Sequence, residues 1–91
     1  MGAWRDVIVP YARISQARKK TVGSRQTLKA VERGQAKVVF VAADAESWVT
    51  EPIVQAAKER GIPVEVVPSM KELGRACGIE VNCASAAVLE D

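Results

Sequence analysis

Apolar residues along the chain occur in two patterns, continuous runs and stripes at helical spacing. The longest continuous run is Lys37-Val38-Val39-Phe40-Val41-Ala42-Ala43, which reads as a central strand buried on both faces. Val64-Glu65-Val66-Val67 lies between Pro63 and Pro68 and reads as a short strand near a sheet edge. Lys20-Thr21-Val22 is long enough for a short strand. Ala84–Leu89 is a last strand of small residues, which lets a helix approach closely.

The stripes fall between the runs. Pro10 suits a first helical position, and Tyr11, Ile14 and Ala17 follow at helical spacing to about Arg18 or Lys19. Ser24 is the expected N-cap of a helix whose apolar face carries Leu28 and Val31. Pro52, with Thr50 or Glu51 as cap, is expected to open a helix through Arg60 that turns Ile53, Val54, Ala56 and Ala57 inward. Ser69-Met70-Lys71-Glu72 is a capping box, and Met70, Leu73 and Cys77 line the helix it starts. Gly34, Gly61 and Gly78 close the last three helices. Residues 44–47 and 79–82 read as loops. Met1–Val9 is hard to place, and terminal segments are often loose. The order is αβαβαβαβ, which implies helices on both faces of a four-stranded sheet, with mixed strand direction allowed.

Ninety-one residues make one domain, 1–91. Aromatic residues are scarce, so the core has to be built from Val, Ile, Leu and Ala. No apolar run approaches the roughly 20 residues that span a bilayer, and Asp6 and Pro10 interrupt the only apolar stretch near the N-terminus. The expected location is cytoplasmic. Cys77 and Cys83 make neither a CxxC motif nor a disulfide framework and read as buried small apolar residues. The chain has no His, so it lacks the commonest general base and transition-metal ligand.

Charge changes the picture most. Arg18–Arg33 contains Arg18, Lys19, Lys20, Arg25, Lys29 and Arg33 against a single acid, Glu32, a net +5 within a chain of net +2. Residues 34–91 carry −4. Positive charge concentrated in this way is expected on a polyanion-facing surface. Gly23 permits a tight turn into the helix, and Arg25, Lys29 and Arg33 recur at i, i+4 and i+8 as one stripe. Arg25 falls in the first helical turn, where acids are normally preferred. A phosphate there would account for it, because the free N–H groups of a helix start also bind anions. The competing reading is a solvated charged face.

Other candidates are weaker. Gly23-Ser24 belongs to neither GxGxxG nor GxxxxGK[ST]. Gly74-x-x-x-Gly78 sits at a soluble helix end and is no membrane dimer motif. Asp44 and Glu46 have no partner acid or ligand nearby in sequence, and catalysis or metal binding requires convergent groups. Ile79-Glu80-Val81 puts two apolar side chains in a segment without period. They either anchor the loop in the core or offer an apolar contact to an unstacked base.

Val22-Gly23-Ser24-Arg25-Gln26-Thr27-Leu28-Lys29-Ala30, together with Leu73-Gly74-Arg75-Ala76-Cys77-Gly78-Ile79-Glu80-Val81, resembles the ribosomal protein L7Ae family, which binds kink-turn RNA. The likeness spans roughly Tyr11 to Leu89 and is strongest to the small bacterial ribosomal-protein-like members. It implies a three-layer αβα sandwich around a central four-stranded mixed sheet, without enzymatic activity or cofactor. It also implies that Gly23, Ser24, Arg25, Gln26 and Lys29 enter the kinked groove at tandem G·A pairs, and that Ile79, Glu80 and Val81 pack on an extruded nucleotide. Archaeal and eukaryotic members commonly have Asn-Glu where this chain has Arg25-Gln26, and bacterial members are similar to this chain. Arg presents a bidentate fork and Gln both a donor and an acceptor, so guanine can still be read.

The expected function is therefore binding of kink-turn RNA by a monomer, with phosphates on Arg25, Lys29 and Arg33, added charge from Lys19 and Lys20, and base edges at Arg25, Gln26 and Glu80. Ribosomal RNA and an mRNA leader are both compatible partners. The alternative is a protein-interaction module of the same fold with weak or lost RNA binding. A small enzyme is disfavoured, because the sequence offers no His, metal motif or nucleophile–base pair.

Overall fold

The computed structural model describes residues 11–91, so the readings made for Met1–Val9 and Pro10 lie outside it. Helices and strands alternate as α1 (11–16), β1 (Lys19–Val22), α2 (Ser24–Glu32), β2 (Val38–Ala42), α3 (Ser47–Glu59), β3 (Val64–Val67), α4 (Met70–Ala76) and β4 (Ser85–Glu90). The strands form one sheet in the order β1-β4-β2-β3. β2 and β3 are parallel, and β4 runs antiparallel to both β1 and β2, so the sheet is mixed as expected.

The continuous apolar run explains the layering. All five residues of β2 are buried, and their period of two divides them between the faces. Val38, Phe40 and Ala42 pack with Ile14 of α1 and with Leu73 and Cys77 beside α4. Val39 and Val41 pack with Val31 of α2 and with Ile53 and Ala57 of α3. Ala86 and Val88 of β4 extend the first cluster and Ala87 the second. The result is a helix pair on each side of a four-stranded sheet, the three-layer αβα sandwich. β3 is an edge strand, in keeping with its flanking prolines.

Two element starts differ from the sequence reading. α3 begins at Ser47, not near Pro52, with Glu46 as its N-cap and Pro52 inside the helix. The carbonyl of Glu46 accepts from the N–H of Val49 and of Thr50, which starts the helix a turn and a half earlier. Val49, half-buried, continues the stripe of buried Ile53 and Ala57 at i, i+4 and i+8. Pro52 is exposed and forfeits only a bond near the N-terminal end. The second difference is at α2, where Gly23 is the N-cap and Ser24 is the first helical residue. Ser24 makes no cap bond, because its hydroxyl is turned to Ser85, where its Oγ accepts from Ser85 Oγ at 3.0 Å.

Candidate nucleic-acid interface

Strand register gathers the candidate residues at one end of the sheet. Val22 is opposite Ala86, Val41 opposite Ser85 and Ala42 opposite Val67. The last residues of β1, β2 and β3 therefore lie at the same end of the sheet as the first residues of β4. From this end emerge the start of α2, the 43–46 connection into α3 and the 77–84 connection into β4.

The start of α2 is built on a residue without a side chain. Gly23 has φ +94°, a conformation that L side chains rarely adopt, and open space lies where its Cβ would be. Its N–H donates to the Ser85 carbonyl at 3.0 Å and its carbonyl accepts from Thr27 N–H at 3.0 Å. With glycine as cap, no side chain covers the N–H groups of the first turn, and that turn contains no acid. Arg25 and Gln26 are both exposed there. This combination suits an anion or a hydrogen-bonding base edge.

The helix is held in place from below. Thr27 is fully buried, and its hydroxyl lies 2.9 Å from that of Thr21 in β1. Ser85, also fully buried, donates to Ser24. Neither Thr27 nor Ser85 stands out in the sequence. The available signal for Thr27 was its place on the face that carries Ala30 and Val31.

Arg25, Lys29 and Arg33 are exposed along one side of α2, over about 12 Å at the usual helical rise. None of them forms an ion pair among the described residues. Lys19 and Lys20 are placed elsewhere. Lys19 is opposite Glu90, at the far end of β4 from Ser85, and its ammonium lies 3.9 Å from the Glu90 carboxylate. The Lys20 ammonium donates to the carbonyls of Ile14 and Ser15 at 3.3 and 3.5 Å, where it caps the C-terminal end of α1.

The second motif becomes a loop pinned at both ends. Ser69 caps α4 by accepting from Glu72 N–H at 3.0 Å, the bond its capping-box sequence predicts. Past the helix end, Ile79 N–H donates to the Gly74 carbonyl and Cys83 N–H to the Met70 carbonyl, each at 3.0 Å. Ile79 is half-buried against the core cluster, whereas Glu80 is exposed and Val81 is 69% exposed. The two apolar residues thus divide the roles left open by the sequence: Ile79 anchors and Val81 projects. A hollow of about 270 Å³ beside the loop is lined by Lys71 and Arg75 as well as by 79–82. Those two cations, at i and i+4 on α4, were not singled out from the sequence.

Ser85 joins the two motifs. Its carbonyl accepts from Gly23 N–H at the start of α2 and from Cys83 Sγ at the end of the loop, both at 3.0 Å. Cys77 and Cys83 are free and buried, as expected. The Cys77 thiol is held well above the usual range by its hydrogen bond to Cys83 and by burial.

A sheet of this order with a helix pair on each face defines an αβα module in which a glycine-led basic helix start and a partly apolar loop meet at one sheet end. Residues 10–91 match the model of the Ribosomal protein L7Ae/L30e/S12e/Gadd45 family, and the chain belongs to that family. An RNA-binding protein of Bacillus pumilus is 43% identical over 79 residues, which cover 87% of this chain and 96% of that protein. The RNA-binding protein YbxF of Geobacillus stearothermophilus is similar to the same extent, 43% over 79 residues with the same coverage. Among solved structures, the 15.5 kD RNA binding protein of Giardia lamblia superposes with a TM-score of 0.74 at 27% identity, covering 100% of this chain and 77% of that one. A Bacillus halodurans protein of unknown function superposes with a TM-score of 0.76 at 29% identity, covering 88% of this chain and 80% of that one.

Proposed function

We propose that residues 1–91 act as one cytoplasmic RNA-binding domain that recognises kink-turn RNA as a monomer. The observation that carries this reading is the convergence of the Gly23-led helix start and the 79–82 loop on the single carbonyl of Ser85. Two surfaces held rigidly together can grip two features of one RNA, a paired groove and an extruded nucleotide. The family, and the RNA-binding names of relatives that match over most of their length, support the class of ligand.

In this reading phosphates meet the uncapped N–H groups of α2 and the stripe Arg25, Lys29 and Arg33. Gln26 and Arg25 meet base edges at the G·A pairs, and Gly23 and Ser24 let the RNA approach the backbone closely. Val81 packs on the extruded nucleotide, with Ile79 as its anchor and Glu80 beside it. Lys19 and Lys20, engaged with Glu90 and with the carbonyls of α1, add only long-range positive potential that salt screens. Nothing in this role requires catalysis or a cofactor.

The test is a gel shift with a standard kink-turn and with a version whose G·A pairs are disrupted. Tight binding of the first and weak binding of the second is expected. Equal affinity for both would reduce the protein to a general RNA binder, and no affinity for either would favour the protein-interaction module. Crosslinking in cells followed by sequencing of the bound RNA decides between ribosomal RNA and an mRNA leader as host.

A further inference from the structure

Trp48 lies in the first turn of α3 and is 73% exposed, in a protein that buries most of its much smaller apolar side chains. The indole N–H donates to Glu46 Oε2 at 2.7 Å, which fixes the ring near the N-cap of the helix. The side chain stands between two shallow hollows. One, of about 310 Å³, is walled by Leu28, Val49, Pro52 and Ile53 and has Arg25 and Ser24 at its margin. The other, of about 320 Å³, is lined by Glu51, Pro52 and Gln55. Trp48 thus lines both hollows and remains largely exposed.

We infer that Trp48 and Arg25 form a second nucleotide-binding subsite, which takes one unpaired nucleotide of the RNA held at the start of α2. The ligand class follows from the chemistry of the hollow. A fixed, exposed indole offers a flat π-face on which any base can stack. The neighbouring guanidinium makes no ion pair among the described residues and suits the phosphate of the same nucleotide. A hollow of about 310 Å³ is large enough to admit a base. Because Ser24 and Arg25 line both this hollow and the helix start, an RNA seated at Gly23 runs directly into it. The inference rests on the RNA-binding reading, but not on kink-turn specificity.

The experiment uses the full chain in a Trp4→Phe background, so that Trp48 is the sole tryptophan. Its fluorescence is titrated with a kink-turn RNA carrying unpaired nucleotides at the bulge and both ends, with its G·A-disrupted version, and with oligoadenylate. Quenching of Trp48 on RNA addition is expected. Trp48→Ala should lower affinity for the kink-turn RNA by about 5- to 100-fold, the range for removing one base–aromatic stack. Trp48→Phe, which keeps a ring, should restore most of it. The melting temperature should stay within a few degrees, since the side chain is exposed. Emission unchanged by all three RNAs, with Trp48→Ala binding as tightly as its parent, overturns the subsite. So does unchanged RNA affinity accompanied by loss of self-association in sedimentation, which would assign the hollow to protein contact. Failure of the kink-turn reading looks different: Trp48 is quenched by RNA while the intact and G·A-disrupted forms bind equally.

Discussion

Gly74 lies directly beneath the carbonyl of Val81: a Cβ at position 74 would occupy the place of that oxygen. Alanine is the better helix former by about 1 kcal/mol, so helix propensity alone would make Gly74→Ala stabilising. Here the obstacle is backbone and cannot rotate away, and the 79–82 loop has to lift. Gly74→Ala is expected to lower stability by about 1–3 kcal/mol, as overpacking does, and to weaken RNA binding because Val81 is displaced. A raised melting temperature with unchanged affinity would show that the loop's seat on α4 is irrelevant.

Lys29 tests the basic stripe. Its side chain is exposed and forms no ion pair among the described residues, so Lys29→Ala should leave the melting temperature nearly unchanged. It should weaken binding to every RNA and reduce the slope of log affinity against log salt by roughly one unit or somewhat less. Collapse of thermal stability would place Lys29 in the structure and not in the interface.

Gln26 tests base reading. Gln26→Ala should cost about 1–3 kcal/mol of binding to an intact kink-turn and much less against RNA with disrupted G·A pairs. Equal losses on the two RNAs would mean that Gln26 only positions the backbone.

The buried thiols give a pH dependence. Cys77 in the folded protein is held above the ordinary thiol value by its bond to Cys83 and by burial, and Cys83 in turn donates to the Ser85 carbonyl. In the unfolded chain both thiols ionise near pH ~8.5. Cys83 is lowered to about 7 by the hydrogen bond from Cys77, so it ionises earlier in the folded chain and adds stability as pH rises from there to the unfolded value. Above that value the unfolded state has lost both thiol protons while folded Cys77 keeps its own, so stability falls as pH rises further, by up to about 1.4 kcal/mol per pH unit in all. Denaturant titrations above about pH 8.5 should show this decline, and it should be smaller in Cys77→Ala. A thiol reagent should label the native protein slowly. Rapid native labelling, or stability flat across that range, would contradict a buried Cys77 that keeps its proton.

The parts legible in the sequence were those determined locally. The run Val38–Ala42 announced a strand covered on both faces, Ser69 and Glu72 announced their own cap, and Gly23 followed by Arg25 announced an unusual helix start. What the sequence concealed depends on partners far along the chain. Ser24 has the composition of an N-cap, but its hydroxyl is bound by Ser85, 61 residues away. Lys20 counts as free positive charge until α1 is seen to use its ammonium as a cap. Pro52 favours a helix start, yet the Glu46 carbonyl, accepting from Val49 and Thr50, starts the helix before it. The seat of the loop on Gly74 is likewise a tertiary contact, visible only once α4 and the chain leading to β4 are packed together.

Val81 gives the most demanding test. As a core residue, its truncation to Ala would lower stability by about 0.5–2.5 kcal/mol. Its side chain instead projects from a loop whose backbone is held by bonds at Ile79 and Cys83, and it is 69% exposed. Val81→Ala should therefore change stability by less than about 0.5 kcal/mol, a few degrees of melting temperature at most. If Val81 packs on an extruded nucleotide, the same substitution lowers affinity for a kink-turn with its bulge intact. It does little once the bulged nucleotides are deleted, because that RNA has already lost the group the side chain covers. A double-mutant cycle between Val81→Ala and bulge deletion isolates this pair from the phosphate contacts proposed for α2, which would be common to all four complexes. Coupling is expected to be positive and to survive high salt, since the contact is apolar, while the contribution of Lys29 fades. Zero coupling would withdraw the loop from the interface and leave the Gly23-led helix start as the contact with RNA.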